Sequence, residues 1–207
     1  MSAREVMMVS KIIPVISVKD ADEMLRLAEA LMKGGVNIFE ITLRTPKALE
    51  AIEAVAKAFP DAITGAGTVI NAETFKAVED AGAKFAISPG LTRSLAASMK
   101  ERNIPLLPGV ATASEIMSGL EYGLDAFKLF PATIVGGVEA LKAFGGPFKD
   151  ALFCPTGGIN ASNAKSFLAL PNVACVGGSW IVPANLIQEK RFDEITRLTK
   201  EAVELLD

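Results

Sequence analysis

Short apolar segments recur at nearly even intervals along the whole chain of 207 residues. Each segment is rich in β-branched or other apolar residues and has the length of a buried strand, which is typical of parallel sheets covered on both faces. Their starts lie 20 to 26 residues apart, the length of one strand, one helix and two short connections. The eight segments are 12–18, 38–44, 62–69, 85–91, 105–111, 126–132, 152–158 and 173–180.

The sequence between these strands has the apolar spacing of amphipathic helices, i, i+3, i+4 and i+7, as in ADEMLRLAEALMKGG (21–35). Residues that favour helix N-caps precede the helical segments, and glycines that can end a helix follow them. The predicted N-caps are Asp20, Thr45, Asn71, Thr92, Thr112 and Asn160. The predicted helix ends are at Gly34–Gly35, Gly82 and Gly123.

Eight strand–helix units of uniform length, with no linker or low-complexity break, favour a closed barrel. We therefore expect one α/β domain over residues 1–207, a single (β/α)8 TIM barrel with a short N-terminal helical extension. A doubly wound open sheet is the alternative, but it normally has fewer strands and a phosphate-binding loop after the first one. Here the first strand is followed by SVKDADE (17–23), which contains no glycine.

The composition excludes several classes of protein. Half of the residues are apolar and 22% are charged, which is incompatible with a disordered chain. The 21 basic and 24 acidic residues are interspersed and no apolar run approaches 18 residues, so we expect neither a nucleic-acid nor a membrane partner. The two cysteines, Cys154 and Cys175, lie in strand-like segments, which predicts buried thiols in a reducing cytoplasm.

The chain contains no histidine. This excludes His-dependent catalytic triads and zinc sites built on imidazole, and no carboxylate cluster suggests a metal, so we expect no metal site and no cofactor. Acid–base chemistry near neutral pH would then depend on a carboxylate, a lysine or an activated thiol.

Strand alternation directs several charged residues into the predicted barrel. Glu40, Thr42 and Arg44 share one face of the second strand, and Lys128 shares a face of the sixth strand with Phe130. The intervening residues are apolar and must pack on the outer helices. The charged side chains should therefore point inward, near the C-terminal strand ends where barrel enzymes place their chemistry.

A buried lysine is suited to Schiff-base chemistry, because desolvation favours its uncharged, nucleophilic form. We expect Phe127, Leu129 and Phe130 to desolvate Lys128, and Glu40 to act as the proton shuttle. The structural alternative is a Glu–Lys or Glu–Arg salt bridge that fills the barrel, although burying such a pair contributes little to stability.

Further residues at the strand ends could bind an anionic substrate. Arg44 lies closer to the rim and is suited to binding a carboxylate, unless it forms a salt bridge at the rim. Strand alternation predicts that Thr68, at the end of the third strand, also points inward. The last two strands end in Gly157–Gly158 and Gly177–Gly178. Tight turns could explain either pair alone, but together they favour a phosphate site.

Two long segments, GVNIFEITLR around Glu40 and GLDAFKLFPATIVG around Lys128, resemble the signature segments of the KDPG/KHG aldolases. These are class I aldolases of 2-keto-3-deoxy-6-phosphogluconate (KDPG) and 4-hydroxy-2-oxoglutarate (KHG). The resemblance covers nearly the whole chain, through GAGTV, FAISPG, PLLPGVAT, FCPTGGI and GGSWIVP.

The resemblance implies reversible cleavage of KDPG to pyruvate and glyceraldehyde 3-phosphate, and of KHG to pyruvate and glyoxylate, by a cytosolic homotrimer. It makes Lys128 the Schiff-base residue and Glu40 the proton shuttle. The other implied site residues are Arg44 and Thr68 at the substrate carboxylate, Pro89 and Phe130 around pyruvate, Thr156 beside the substrate, and Gly157, Gly158 and Ser179 at the phosphate.

Two other functions fit parts of the sequence. An isomerase or epimerase of a sugar phosphate would explain the glycine pairs but would leave Lys128 without a role. A non-catalytic barrel that binds sugar acids would have little need of a desolvated amine. The preferred aldehyde partner and the stereochemistry at C4 stay open at this stage.

Overall fold

A computed structural model describes residues 1–206 as alternating strands and helices. The strands are β1 (Ile12–Ile16), β2 (Ile38–Thr42), β3 (Ile63–Gly67), β4 (Phe85–Ile87), β5 (Leu106–Leu107), β6 (Gly109–Val110), β7 (Ala126–Leu129), β8 (Leu152–Phe153) and β9 (Val176–Gly178). The helices are α1 (Ala3–Met8), α2 (Ala21–Lys33), α3 (Ala48–Ala58), α4 (Ala72–Asp80), α5 (Arg93–Ser98), α6 (Ala113–Glu121), α7 (Gly137–Phe144), α8 (Ala164–Leu168), α9 (Ala184–Gln188) and α10 (Phe192–Leu206), with a 3-10 turn at Met99–Glu101.

All strand pairs are parallel, and they form two sheets. The larger sheet is a curled half-barrel of six strands in the order β5-β4-β3-β2-β1-β9, and the smaller has the order β6-β7-β8. Only Pro108 separates β5 from β6, and isolated bridges join Phe153 to Val173 and Thr156 to Gly177. The predicted α/β fold with parallel strands is confirmed, whereas the regular ladders do not form one eight-stranded sheet.

Prolines account for much of this difference from the predicted strands. The expected fifth strand, 105–111, is divided into β5 and β6 at Pro108, which has no N–H to donate to a ladder. The expected seventh strand, 152–158, keeps only two ladder residues before Pro155 and the two positive-φ glycines that follow it. An apolar segment therefore predicts where a strand lies better than it predicts the length of its ladder.

The strand residues that face the helices form the core. Phe39 and Ile41 of β2 are fully buried, as is Phe127 of β7. The short N-terminal helix is present as expected, and its Val6 and Met7 are also fully buried. Helix α1 therefore belongs to the packed structure and is not a loose extension.

Four of the six predicted N-caps are confirmed by hydrogen bonds to their helices: Asp20, Asn71, Thr92 and Thr112. Thr45 does not cap α3, which begins after Lys47, and its buried hydroxyl has no partner among the described residues. Asn160 accepts hydrogen bonds from Ser162 instead, upstream of the start of α8. The predicted glycines do end their helices, with positive φ at Gly35, Gly82 and Gly123.

Two expectations from the composition concern burial and membrane-spanning segments. Cys154 and Cys175 are both free thiols and both buried, as predicted. Among residues 1–206, no helix combines the length and the apolar character needed to cross a bilayer.

Gly109 provides a test of how closely β4 and β6 approach each other. A Cβ at this position would lie 2.2 Å from the carbonyl oxygen of Pro89, which is backbone and cannot rotate away. We expect Gly109→Ala to lower the free energy of unfolding by about 1–3 kcal/mol, measured by urea denaturation. Gly90→Ala is the matched control, because a Cβ there meets nothing within 4 Å. Equal stability of the two variants would contradict this packing.

Candidate active site

A lysine and a glutamate from different sheets meet inside the structure. Lys128 of β7 and Glu40 of β2 form an ion pair with 3.1 Å between Nζ and Oε1. The two residues are only 5% and 1% exposed. Both side chains therefore lie on the inward face, as strand alternation predicts, and they are held out of bulk water.

Glycines make room for this pair. In the β2–β3 register Glu40 is opposite Gly65 and Thr42 is opposite Gly67, so the four residues share one face. A Cβ on Gly67 would lie 2.3 Å from Oε1 of Glu40. The alternating glycines of β3 thus leave the volume that the carboxylate occupies.

Phe130 is the aromatic neighbour of the lysine amine. Nζ of Lys128 lies 5.2 Å from the centre of the Phe130 ring. Phe127 and Leu129 do not share this role, because they lie on the opposite strand face, where Phe127 packs with its ring centre 6.0 Å from that of Phe153. The expectation that all three apolar residues desolvate Lys128 directly is therefore wrong for two of them.

A cavity of about 140 Å³ opens beside the amine at the C-terminal strand ends. Seven of the ten predicted site residues line it, and Glu40 reaches the site through its contact with Lys128. The predicted residues that line the cavity are Arg44, Lys128, Phe130, Thr156, Gly157, Gly158 and Ser179.

Thr68 and Pro89 lie at the ends of β3 and β4 and do not line this cavity. The parity predicted for Thr68 is wrong, since Gly65 and Gly67 occupy the face that Glu40 shares. Instead, Thr68 leaves the strand with φ 63°, a strained conformation for a β-branched residue. Backbone strain of this kind is concentrated at functional sites. Thr68 therefore stays a candidate site residue because of its backbone conformation and not because of strand alternation.

Arg44 presents its charge to solvent at the edge of the cavity. The residue is exposed, and its guanidinium forms no hydrogen bond or ion pair with any residue between 1 and 206. A rim salt bridge is therefore not its role within the described chain. A forked cation without a partner, next to a buried amine, can bind a carboxylate.

The two glycine pairs allow close approach of side chains as well as of backbone. Gly157 and Gly158 have φ of 101° and 77°, which explains why glycine is needed there. A Cβ on Gly177 would lie 2.2 Å from Oγ1 of Thr156, so this glycine lets the threonine enter the site. Gly157 and Gly158 thus form a tight turn and also line the cavity.

Three residues of the cavity wall were not predicted from the sequence, namely Val15, Ile159 and Gly178. Val15 lies opposite Glu40 in the β1–β2 register, so it faces inward. Because every residue of β1 is apolar, its sequence carries no signal of which face is inward. Gly178 could have been found, since it belongs to a pair already assigned to the anion site.

The Cys175 thiol is not suited to act as a base. The hydrogen bond with Cys154, together with complete burial, raises the pKa of Cys175 well above that of an ordinary thiol. A thiol in this state is a poor nucleophile and a poor base at neutral pH. Lys128 and Glu40, which are in contact, remain the candidates for acid–base chemistry in the site.

An amine nucleophile in contact with a carboxylate, at the C-terminal ends of parallel strands, defines an enzyme of lysine-dependent carbonyl chemistry. The family model for KDPG and KHG aldolase matches residues 3–198. The chain therefore belongs to the KDPG and KHG aldolase family, whose members are carbon–carbon lyases.

Known proteins of this family are similar over nearly their whole length. The KHG/KDPG aldolase of Escherichia coli K12 is 50% identical over 203 residues, which covers 98% of this chain and 95% of the relative. A crystal structure of the KDPG aldolase from Legionella pneumophila, with pyruvate captured as a covalent carbinolamine, has a TM-score of 0.96 at 50% identity and covers 97% of this chain and 98% of the other. The KDPG aldolase of Zymomonas mobilis ZM4 with 3-phosphoglycerate has a TM-score of 0.90 at 45% identity, covering 97% and 94%.

The buried ion pair makes a prediction for stability. Lys128→Met leaves the Glu40 carboxylate buried without its cation. We therefore expect the free energy of unfolding, measured in urea, to fall by about 3 kcal/mol or more. Adding Glu40→Gln should recover on the order of 1 kcal/mol, because the uncompensated charge is gone.

Lys142→Met is the control for this pair. Lys142 contacts Glu139 at 2.8 Å on the surface, and its loss should change stability by less than about 0.5 kcal/mol. A double variant as unstable as Lys128→Met alone would show that the two charges are not coupled.

Proposed function

We propose that this protein is a class I aldolase that reversibly cleaves KDPG to pyruvate and glyceraldehyde 3-phosphate through a Schiff base on Lys128. The observation that carries the proposal is the buried contact of 3.1 Å between Nζ of Lys128 and Oε1 of Glu40. The covalent pyruvate adduct in the Legionella pneumophila relative supports it, because that protein is 50% identical over nearly the same length.

The pair provides both partners for imine formation. Transfer of one proton from Nζ to Oε1 yields a neutral amine and a carboxylic acid, already in contact. The amine adds to the C2 carbonyl of the substrate while the acid donates its proton to the developing alkoxide, giving a carbinolamine. The carboxylate then takes a proton from the cationic nitrogen of this adduct and gives it to the hydroxyl group, so that water leaves and the protonated imine remains.

The protonated imine then withdraws electrons during cleavage. The Glu40 carboxylate takes the proton of the C4 hydroxyl, the C3–C4 bond breaks, and its electron pair moves to the imine nitrogen. The products are an aldehyde and an enamine of pyruvate. Return of the proton from Glu40 to C3 and hydrolysis of the imine release pyruvate and restore the pair.

The remaining candidate residues bind the two anionic ends of the substrate. We place the carboxylate at Arg44 and Thr68, with Phe130 and Pro89 around the pyruvyl carbons. Arg44 supports this through its free guanidinium at the cavity edge.

The phosphate would then lie at the opposite wall of the cavity, at Gly157, Gly158 and Ser179, with Thr156 beside the substrate chain. Backbone N–H groups of positive-φ glycines can approach an anion closely. The Zymomonas mobilis structure with 3-phosphoglycerate supports a phosphate site in this family.

A second substrate follows from the same chemistry. KHG carries the same 2-keto group and C4 hydroxyl, so its cleavage to pyruvate and glyoxylate needs no further catalytic group. The Escherichia coli relative, named for both substrates, supports this extension.

We further propose that residues 1–207 form a single domain in which the two sheets close into one eight-stranded barrel. The N–H of Gly109 in β6 donates to the carbonyl of Ser88, which follows β4, and the N–H of Gly177 in β9 donates to the carbonyl of Pro155, which follows β8, so each bond joins one sheet to the other. Closure would remove the sheet edges that parallel strands otherwise leave unpaired.

We also propose a homotrimer in a reducing cytoplasm, the latter supported by two buried free thiols. Ile70 and Ile134 follow β3 and β7 at the active-site end and are exposed, which favours contact with another chain. Light scattering should give a mass of about 65 kDa, three times the 21.8 kDa of one chain. A mass of one chain at working concentration would contradict the trimer.

Trapping tests the Schiff base directly. Incubation with pyruvate and borohydride should reduce the imine and leave a permanent adduct on Lys128, located by peptide mass spectrometry. Lys128→Ala should abolish both the adduct and pyruvate release from KDPG, whereas Lys142→Met, at an exposed lysine, should form the adduct normally.

Glu40→Gln separates the competing functions. It keeps the shape of the side chain but cannot exchange protons, so turnover of KDPG should fall at least about 100-fold while the fold is retained. Unchanged turnover would refute the shuttle. An unmodified Lys128 in the wild type would favour a sugar-phosphate isomerase, and KDPG binding without pyruvate release would indicate a binding protein.

A further inference from the structure

Two hydroxyl side chains meet on the inward face beside the reactive pair. Oγ of Ser17 lies 2.7 Å from Oγ1 of Thr42, and Oγ1 of Thr42 donates to the carbonyl of Ile16 at 2.8 Å. Thr42 is 1% exposed, whereas Ser17 is exposed to solvent. The pair therefore links a buried hydroxyl to one that is open to solvent.

The number of protons fixes the direction of these hydrogen bonds. Each hydroxyl has one proton and two lone pairs, and a carbonyl oxygen can only accept. Since Thr42 gives its proton to Ile16, the bond between the hydroxyls must use the proton of Ser17. Ser17 is thus left with lone pairs only, and it faces the solvent as a hydrogen-bond acceptor.

The strand register places this acceptor relative to the catalytic residues. Val15 is opposite Glu40 and Ile16 is opposite Ile41, so Ser17 continues the register opposite Thr42. Val15, two residues before Ser17 on the same face, lines the cavity together with Lys128. Ser17 therefore lies about 7 Å closer to the rim than the level of Glu40, between that level and the level of Arg44.

We propose that Ser17 is a specificity-determining residue that accepts a hydrogen bond from a hydroxyl group on the aldehyde-derived part of the substrate. The inference rests on the proposed aldolase function. In KDPG, C5, which is the neighbour of C4 on the aldehyde side of the cleaved bond, carries a hydroxyl group. In KHG, C5 is the carbon of a carboxylate. An acceptor held at this depth favours the hydroxyl, which can donate, and disfavours the carboxylate, whose oxygens repel its lone pairs.

This arrangement complements the cationic part of the site. Arg44 can compensate the charge of a carboxylate, and the glycine backbone can bind a phosphate, but neither distinguishes a hydroxyl from a carboxylate in the middle of the chain. Ser17 distinguishes a hydroxyl from a carboxylate only while it donates its own proton to Thr42. Thr42 is accordingly a positioning residue that acts through Ser17.

The test compares kcat/KM for KDPG and KHG in Ser17→Ala. Loss of one neutral hydrogen bond should lower the KDPG to KHG ratio by roughly three- to tenfold, through a loss on KDPG with KHG unchanged or improved. Ser114→Ala, on the exposed surface of α6, should leave the ratio unchanged. A ratio within twofold of wild type in Ser17→Ala, or equal losses on both substrates, would overturn the proposal.

Two Thr42 variants test the direction of the hydrogen bonds. Thr42→Val frees the Ser17 proton, so Ser17 can donate, and kcat/KM for KHG should rise while the ratio falls. Thr42→Ser keeps the hydroxyl and should keep the wild-type ratio. An unchanged ratio in Thr42→Val would contradict the positioning role.

Trapping of pyruvate on Lys128 distinguishes this proposal from the function it rests on. Adduct formation at the wild-type rate in Ser17→Ala, with a lowered ratio, supports a role in aldehyde selection alone. A wild-type enzyme that forms no adduct and releases no pyruvate from KDPG would remove the proposed function, and the role of Ser17 with it.

Discussion

The burial of two opposite charges in one contact is the constraint on which the rest of this structure depends. Lys128 and Glu40 are almost completely removed from water, and such a pair contributes less to stability than apolar residues of the same volume. Its retention is explained by chemistry, because a desolvated amine next to a carboxyl group can both attack a carbonyl and move protons. The surrounding structure serves to keep this contact in place.

Small residues and parallel strands meet that constraint together. Parallel strands bring their C-terminal ends to one edge, which gathers Arg44, Lys128 and Thr156 around one cavity. The volume for these side chains is left by glycines on neighbouring strands, as Gly67 does for Glu40 and Gly177 for Thr156. Gly67 and Gly177 therefore shape the site even though they contribute no side-chain functional group.

The sequence was sufficient to predict that Lys128 and Glu40 both point inward, because a charged residue on an otherwise apolar strand can face only the interior cavity. It was not sufficient for Thr68, whose orientation depends on the register between β2 and β3 and on a backbone turn that no alternation rule contains. Nor could the sequence identify Val15, because β1 is apolar throughout and its pattern does not show which face points inward. Pro108 was visible in the sequence, but its effect on the ladder depends on which neighbour the strand pairs with.

A crystal structure of the protein soaked with pyruvate would show whether Lys128 forms a covalent bond to the keto carbon. We expect continuous electron density from Nζ of Lys128 to C2 of pyruvate, with the Glu40 carboxyl group within hydrogen-bonding distance of the new bond. Pyruvate bound without a covalent link while the Lys128–Glu40 ion pair persists, or joined to another lysine, would contradict it.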